Sequence, residues 1–363
     1  MIYPKAIIRL DNLKNNVKYL KSISNGSILM PVVKANAYGH GVIEISKELY
    51  KSGIKCVCVA TILEVIELLN AKIGLDVLHL GKLCYDSLSK YSNKHVILTI
   101  NSIEDINQIN LYAKNNNKKF RCHIKVDTGM NRMGCKPGDF KDIYAAALNS
   151  ESIFLEAVYS HLACSDDVTS NHNIFQLKIF EEIISFIKDD CIKLHLLSSG
   201  GLFNYNDYFY DLVRPGISIY GVSPLRKINH NLKPVMELKA PVVLFKNILR
   251  GEKVGYGCTY IAESDINIAI VQLGYADGLN KNFEIDGTVF VNDKEYPIVG
   301  RISMDLFAIN CYDDNLNLKD EVTIWGGDSQ KTRLEYISNK HNLLPYIYLT
   351  NLSNRVKRIY VEK

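Results

Sequence analysis

The sequence predicts an α/β chain built as an N-terminal (β/α)8 TIM barrel followed by a mostly antiparallel β domain. Three observations predict it. Eight short runs rich in Val, Ile and Leu alternate with longer amphipathic stretches between residues 28 and 221, as strands covered on both faces require. After residue 233 the texture changes to short strand-like runs separated by Gly, Asp or Asn, the pattern of antiparallel strands joined by turns. The polar stretch LRKINHNLKP (225–234) separates the two textures. The expected division is 1–233 for the barrel and 234–363 for the β domain. An open doubly wound sheet is the competing arrangement for the first part.

The strand candidates begin with ILMPVVKA (28–35), KCVCVA (55–60), DVLHLG (76–81) and HVILTI (95–100). They continue with FRCHIKVD (120–127), LEAVYSHL (155–162), KLHLLSS (193–199) and LVRPGISIYG (212–221). Between the first two, HGVIEISKELYKSG (40–53) sets Val42, Ile45 and Leu49 on one helical face and stops at Gly53, a residue suited to a helix C-terminus. TILEVIELLNAKIG (61–74) and NIFQLKIFEEIISFIKDD (173–190) carry similar stripes. Asn115–Asn117 with Lys118 and Lys119 reads as a solvated loop. In the second part, PVVLFKNI, INIAIVQLG, GTVFVN, EYPIVGRISM and DEVTIWGG are strand candidates, and one helical pattern lies near 331–340.

Composition narrows the function classes. The net charge is only +4 and Lys and Arg are scattered, which argues against a nucleic-acid stripe. No apolar run approaches the ~20 residues of a membrane span, and the N-terminal MIYPKAIIRLD lacks the apolar core of a signal peptide, so a cytoplasmic protein is expected. The nine cysteines contain no Cys-x-x-Cys pair, and no two histidines lie at zinc spacing. They read as reduced core residues without a metal.

The chemically unusual residues fall at strand ends. Lys34 closes the first strand, at the C-terminal mouth where barrel enzymes place their sites. On position alone an ordinary surface lysine at a strand end is the commoner reading. The run VVKANAYGHG around it, however, resembles the cofactor-lysine signature of the alanine racemase family. That resemblance implies pyridoxal 5'-phosphate held by Lys34 as a Schiff base. The amine must be deprotonated to attack the aldehyde, and burial near other cations favours that form. The cofactor then supplies an electron sink at Cα.

Further motifs follow in the family's order. KVDTGMNRMG (125–134) resembles the family segment whose arginine, here Arg132, contacts the cofactor's phenolic oxygen and the substrate carboxylate. Lys125 matches a lysine often carbamylated in the family, an anion able to hold Arg132; read on its own, it could instead pair with Asp127 inside the barrel. YSHLACSDD (159–167) supplies His161, which the resemblance pairs with Arg214 of VRPGISIYG. The family arginine faces the pyridine nitrogen and does not readily release its proton. The ring nitrogen therefore stays unprotonated, which favours racemisation over transamination. Ser199, Gly216, Ile217, Tyr38 and Tyr346 match the family's phosphate ligands. GYGCTY (255–260) supplies Tyr260 as the second acid/base. GYADG (274–278) and GRISMD (300–305) resemble segments lining the entrance and substrate pocket, through Arg301, Met304 and Asp305, with the Met304 amide on the carboxylate.

The resemblance runs from IRLDNLKNNV (8–17) to Arg355-Val356. It implies interconversion of L- and D-alanine by proton transfer at Cα from two faces, Tyr260 on one and Lys34 on the other. It further implies a homodimer, with Tyr260 supplied by the partner subunit, and D-alanine destined for peptidoglycan precursors. Neighbouring positive charge has to favour the Tyr260 phenolate, because a free tyrosine titrates near 10. Ser198 stands where the family has Asn, and Leu279 where many members have an aromatic residue. These departures keep open the same chemistry on serine or another amino acid.

Overall fold

A computed structural model describes residues 3–292, 294–312, 314 and 316–362. These segregate into two compact units. One comprises Asn16–Ala37 and Val42–Ile219; the other comprises the residues up to Asn15, Tyr38–Gly41 and Tyr220 onward.

The first unit is a closed parallel barrel. Its strands are β2 (Ile28–Leu29), β3 (Cys56–Val59), β4 (Asp76–His79), β5 (Val96–Ile100), β6 (Phe120–Lys125), β7 (Ile153–Tyr159), β8 (Lys193–Ser198) and β9 (Leu212–Arg214), after an N-terminal β1 (Lys5–Arg9) that belongs to the other unit. The sheet order is β2-β9-β8-β7-β6-β5-β4-β3, and a parallel bridge between Val32 and Cys58 closes the ring. The eight expected strands are present, and the open-sheet alternative is excluded by that closure. Val57, Leu78, Leu98, Ile124 and Val158 are fully buried, as a filled barrel interior covered by helices requires. The helix Val42–Lys51 buries Val42, Ile45 and Leu49, and Gly53 follows with φ +80°. Strand β9 stops at Arg214, seven residues short of the expected run. Pro215 has no N–H to continue a ladder, and a 3-10 turn covers Ile217–Tyr220.

The second unit is built on β10 (Met236–Ile248), β11 (Lys253–Val254), β12 (Tyr260–Ile261), β13 (Ile266–Val271), β14 (Thr288–Val291), β15 (Lys294–Val299), β16 (Phe307–Tyr312), β17 (Glu321–Trp325) and β18 (Lys357–Val361). Strand β10 pairs antiparallel with β17 over its first half and with β13 over its second. An irregularity lies in each register, and one long strand thereby turns the corner of the sheet. Strand β1 pairs antiparallel with β10 and parallel with β18. The N-terminal residues expected in the barrel therefore belong to this unit, because their backbone partners lie more than 200 residues away in sequence. The compact units divide at 219/220. Trp325, Tyr348 and Phe283 centre the core as edge-to-face rings, and a helix covers Leu334–Lys340.

Candidate active site

The chain after Lys34 takes an uncommon path. Ala35, Asn36 and Ala37 all have φ between 51° and 53° and ψ between 47° and 53°, and Tyr38 continues with φ 51°. A left-handed turn of non-glycine residues costs about 1–2 kcal/mol per residue, so the surroundings must hold it. Two side chains do. Glu64 accepts from the Ala35 amide at 2.6 Å with one carboxylate oxygen and from Ala60 and Thr61 with the other, while Thr61 caps the helix Ile62–Asn70. Asn36 Oδ1 accepts from the Val42 amide at 2.8 Å. The start of one helix thus clamps the residue next to Lys34, and such locked strain is typical of functional sites.

Several cations converge on the barrel mouth. Burial and the Arg132 guanidinium lower the Lys34 pKa, which enlarges the fraction of free amine. Arg214 is buried and tied down on several sides. It donates to the carbonyls of Ser160 and Leu196 at 2.7 and 3.1 Å, to His161 Nδ1 at 3.4 Å and to His195 Nδ1. Its guanidinium carbon lies 4.9 Å from the centre of the Tyr159 ring. Burial, then Arg214, Lys125, Arg132 and Lys34, hold the His161 pKa well below the ordinary histidine value. The loop carrying Arg132 is organised by Asp127, whose Oδ1 accepts from the amides of Gly129 and Asn131, each at 3.0 Å.

Lys125 is 7% exposed. Its amine lies 5.6 Å from the Tyr159 ring centre and makes no hydrogen bond or ion pair among the described residues; Asp127 is engaged by its own loop. Burial, with Arg214 and Arg132, pushes the Lys125 pKa from 10.5 down to about 8. Between those values the unfolded chain binds the proton that the folded chain lacks, so stability rises with pH across that window. Lys125→Met should therefore stabilise the protein at pH 7 by roughly 1–3 kcal/mol in carbonate-free buffer, and by less at pH 10. Urea unfolding at the two pH values measures the difference.

An anion cradle lies beside these cations. Ser199 Oγ accepts from the amides of Gly216 at 2.8 Å and Ser218 at 3.3 Å. The Ser218 hydroxyl is buried without a hydrogen-bond partner among the described residues. A cluster with more donors than acceptors suits a phosphate group. With a depressed lysine on the same barrel, the donor set fits pyridoxal phosphate.

The remaining expected residues lie in the second unit. Tyr38 and Tyr346 have ring centres 5.9 Å apart, and Tyr38 lies 4.9 Å from Tyr220. Tyr260 starts β12. Burial, then Glu263 and Tyr312, raise its pKa, so its own unit opposes the phenolate instead of favouring it. Arg301 lies over Gly257, where an added Cβ would stand 3.2 Å from Nη1. Met304 is exposed, and its carbonyl accepts from the Ala276 amide at 3.0 Å; a Cβ on Gly274 would collide with that carbonyl at 2.1 Å. Arg355 bridges Asp277 and Asp305. Leu279 is a core residue, 2% exposed, and Ser198 Oγ faces Ser165 Oγ at 3.3 Å.

The barrel unit thus brings together Lys34, Lys125, Arg132, His161, Ser199, Arg214, Gly216 and Ile217, and the other unit carries Tyr38, Tyr260, Arg301, Met304 and Tyr346. Sequence reasoning missed Glu64 and His195. Glu64 was readable as the third residue of a capping box after Thr61. His195 was readable as a polar residue inside an apolar strand, a position that needs a partner.

Comparison with known proteins agrees with this geometry. The family model "Alanine racemase, N-terminal domain" matches residues 8–224 and "Alanine racemase, C-terminal domain" matches residues 235–360. The chain is 34% identical to an alanine racemase of Methanococcus maripaludis and 35% identical to one of Rickettsia akari, with 98% of each chain covered in both cases. Among solved structures it resembles alanine racemase of Clostridium difficile 630, with TM-score 0.93 and 29% identity over all of this chain and 96% of that one. It also resembles the Bartonella henselae alanine racemase with covalently bound pyridoxal phosphate, with TM-score 0.90 and 30% identity over 99% of this chain and all of that one. Fold, cation-lined barrel mouth and full-length similarity lead to one assignment: the chain belongs to the alanine racemase family.

Proposed function

We propose that this protein interconverts L- and D-alanine with pyridoxal 5'-phosphate carried on Lys34. The observation that supports this most is the set of cations at the barrel mouth, where burial and Arg132 lower the Lys34 pKa and where, among the described residues, Arg214 hydrogen-bonds only to carbonyl and imidazole acceptors. When bound, the cofactor supplies the electron sink for the bond broken at Cα. Ser199, Gly216 and Ile217 would hold its phosphate on the barrel unit, and the resemblance to the family adds Tyr38 and Tyr346. Arg214 would face its ring nitrogen and, keeping its own proton, would leave that nitrogen unprotonated; His161 supports Arg214.

Arg132 and the Met304 amide take the substrate carboxylate, and Arg301 lines the approach. Lys34 and Tyr260 each move a proton at Cα, from opposite faces, so neither substitutes for the other. The raised pKa of Tyr260 within its own unit calls for a cation from elsewhere, and the Arg132 of a second subunit supplies it in a homodimer with shared sites. Lys125, with its pKa near 8, has enough free amine at neutral pH to take up carbon dioxide as a carbamate and hold Arg132. The product D-alanine would serve peptidoglycan synthesis. A cytoplasmic location accords with the nine free thiols; among the described residues no helix is long and apolar enough to cross a membrane.

The test is direct. Purified holoenzyme given L-alanine should yield equal amounts of the two enantiomers by chiral chromatography, faster than with serine or lysine. Release of carbon dioxide, or a higher rate on serine, would contradict the assignment.

A further inference from the structure

A line of polar side chains runs through the barrel from Arg214 away from the mouth. Arg214 Nη1 meets His195 Nδ1. His195 Nε2 lies 3.0 Å from His123 Nδ1, and His123 Nε2 faces Glu156 Oε2 at 3.7 Å. Arg121 closes the line, donating to both Glu156 oxygens at 2.5 and 3.2 Å and to Asp76 at 2.7 Å. The line starts at the last residue of β9 and ends at the first residue of β4. His195 is 0% and His123 2% exposed, so water does not substitute for these partners. The Tyr159 ring stacks on His195 at 4.4 Å and 9° and is fixed in turn by Thr99, 2.9 Å from its hydroxyl.

The two ends of this line are chemically unequal. An arginine only donates and an ionised carboxylate only accepts. His195 Nδ1 must therefore accept from Arg214, which places the His195 proton on Nε2. His123 Nδ1 must then accept from His195, which places the His123 proton on Nε2, toward Glu156. Every hydrogen between Arg214 and Glu156 points toward Glu156, and Arg121 donates to Glu156 from the other side. We propose that Glu156 and His123 are positioning residues that hold His195 in its Nε2–H tautomer and so keep its Nδ1 lone pair on Arg214. The proposal rests on the reading that Arg214 faces the cofactor ring. The other His195 tautomer would set an N–H against the Arg214 donor, loosening the guanidinium that controls the ring nitrogen.

The electrostatics agree with neutral rings. Burial, then Arg214 and His123, hold His195 well below the ordinary histidine value, and burial lowers His123. Burial opposes ionisation of Glu156, yet His123 and Arg121 together hold its carboxyl below the usual range.

The experiment compares His123→Asn with His123→Phe. Asparagine keeps an acceptor near the Nδ1 position but fills the site poorly; phenylalanine keeps a ring and removes the acceptor. Nitrogen NMR of histidine-labelled holoenzyme should show His123 and His195 both neutral with the proton on Nε2 between pH 6 and 9. His195 should stay wholly in that tautomer in His123→Asn; in His123→Phe the Nε2–H loses its acceptor, so a fraction of Nδ1–H ring should appear, restrained only by Arg214. The ratio of pyruvate formation to racemisation should rise about fivefold or more in His123→Phe, the effect of losing one ordinary hydrogen bond, and stay within about twofold in His123→Asn. An Nδ1–H or doubly protonated ring in the unaltered protein would overturn the proposal, as would equal damage in the two variants. An unchanged ratio in His123→Phe would also overturn it if Arg214→Glu does shift the ratio. If Arg214→Glu leaves the ratio unchanged as well, the underlying reading of Arg214 fails instead.

Discussion

Lys34→Ala should lower alanine racemisation by at least about a thousandfold and remove the attachment point of the cofactor. Borohydride treatment of the unaltered holoenzyme should fix the cofactor covalently on Lys34, and the variant should show no fixation at any lysine. The physical reason lies in the barrel mouth. Burial and Arg132 lower the Lys34 pKa, and the Glu64 clamp on the next amide sets the backbone from which the amine projects. Tyr260→Phe should cost a similar factor while leaving borohydride fixation on Lys34 intact. In heavy water that variant should still exchange the Cα hydrogen of D-alanine, which faces Lys34, faster than that of L-alanine. Equal exchange of the two enantiomers would remove Tyr260 from its role.

Arg214→Glu should lower racemisation by about a hundredfold or more, in the range seen when one preorganised donor is removed from a reacting site. A carboxyl group toward the ring nitrogen would favour its protonation, strengthen the electron sink and raise pyruvate formation relative to racemisation. The substitution also leaves the buried carbonyls of Ser160 and Leu196 without their donor, so some loss of stability is expected. The ratio of products separates the two effects, because a merely destabilised enzyme loses both activities together. A wild-type ratio would show that Arg214 does not govern the cofactor's electronics.

Much of this site is legible in the sequence because parallel strands covered on both faces are apolar throughout. A Lys, Arg or His within or at the end of such a run is conspicuous, as at Lys34, Lys125, His161 and Arg214. The strands themselves are legible for the same reason. Long-range pairing is not: nothing in Lys5–Arg9 announces that its partners are Met236–Lys239 and Lys357–Val361, so it reads as the start of the barrel. The left-handed turn at Ala35–Tyr38 is hidden because Ala and Tyr carry no turn signal; a carboxylate from another element and the Asn36 side chain hold it. His195 is hidden behind His161, since spacing cannot tell which of two histidines approaches Arg214 more closely. Leu279 reads as a pocket residue because it follows GYADG, whereas packing places it in the core.

The claim that Lys34 and Tyr260 act together, each from a different subunit, is tested most directly by mixing two inactive proteins. Lys34→Ala and Tyr260→Phe are unfolded and refolded together in equal amounts with the cofactor, and subunit exchange is verified by mass-tagged chains. In a two-fold dimer each subunit lends its Tyr260 to the other's Lys34. A mixed dimer then contains one doubly damaged site and one intact site. Random pairing makes about half the dimers mixed, so about a quarter of wild-type sites should return. Refolded mixtures that exchange subunits and bind the cofactor but remain as inactive as either variant alone would contradict the shared site.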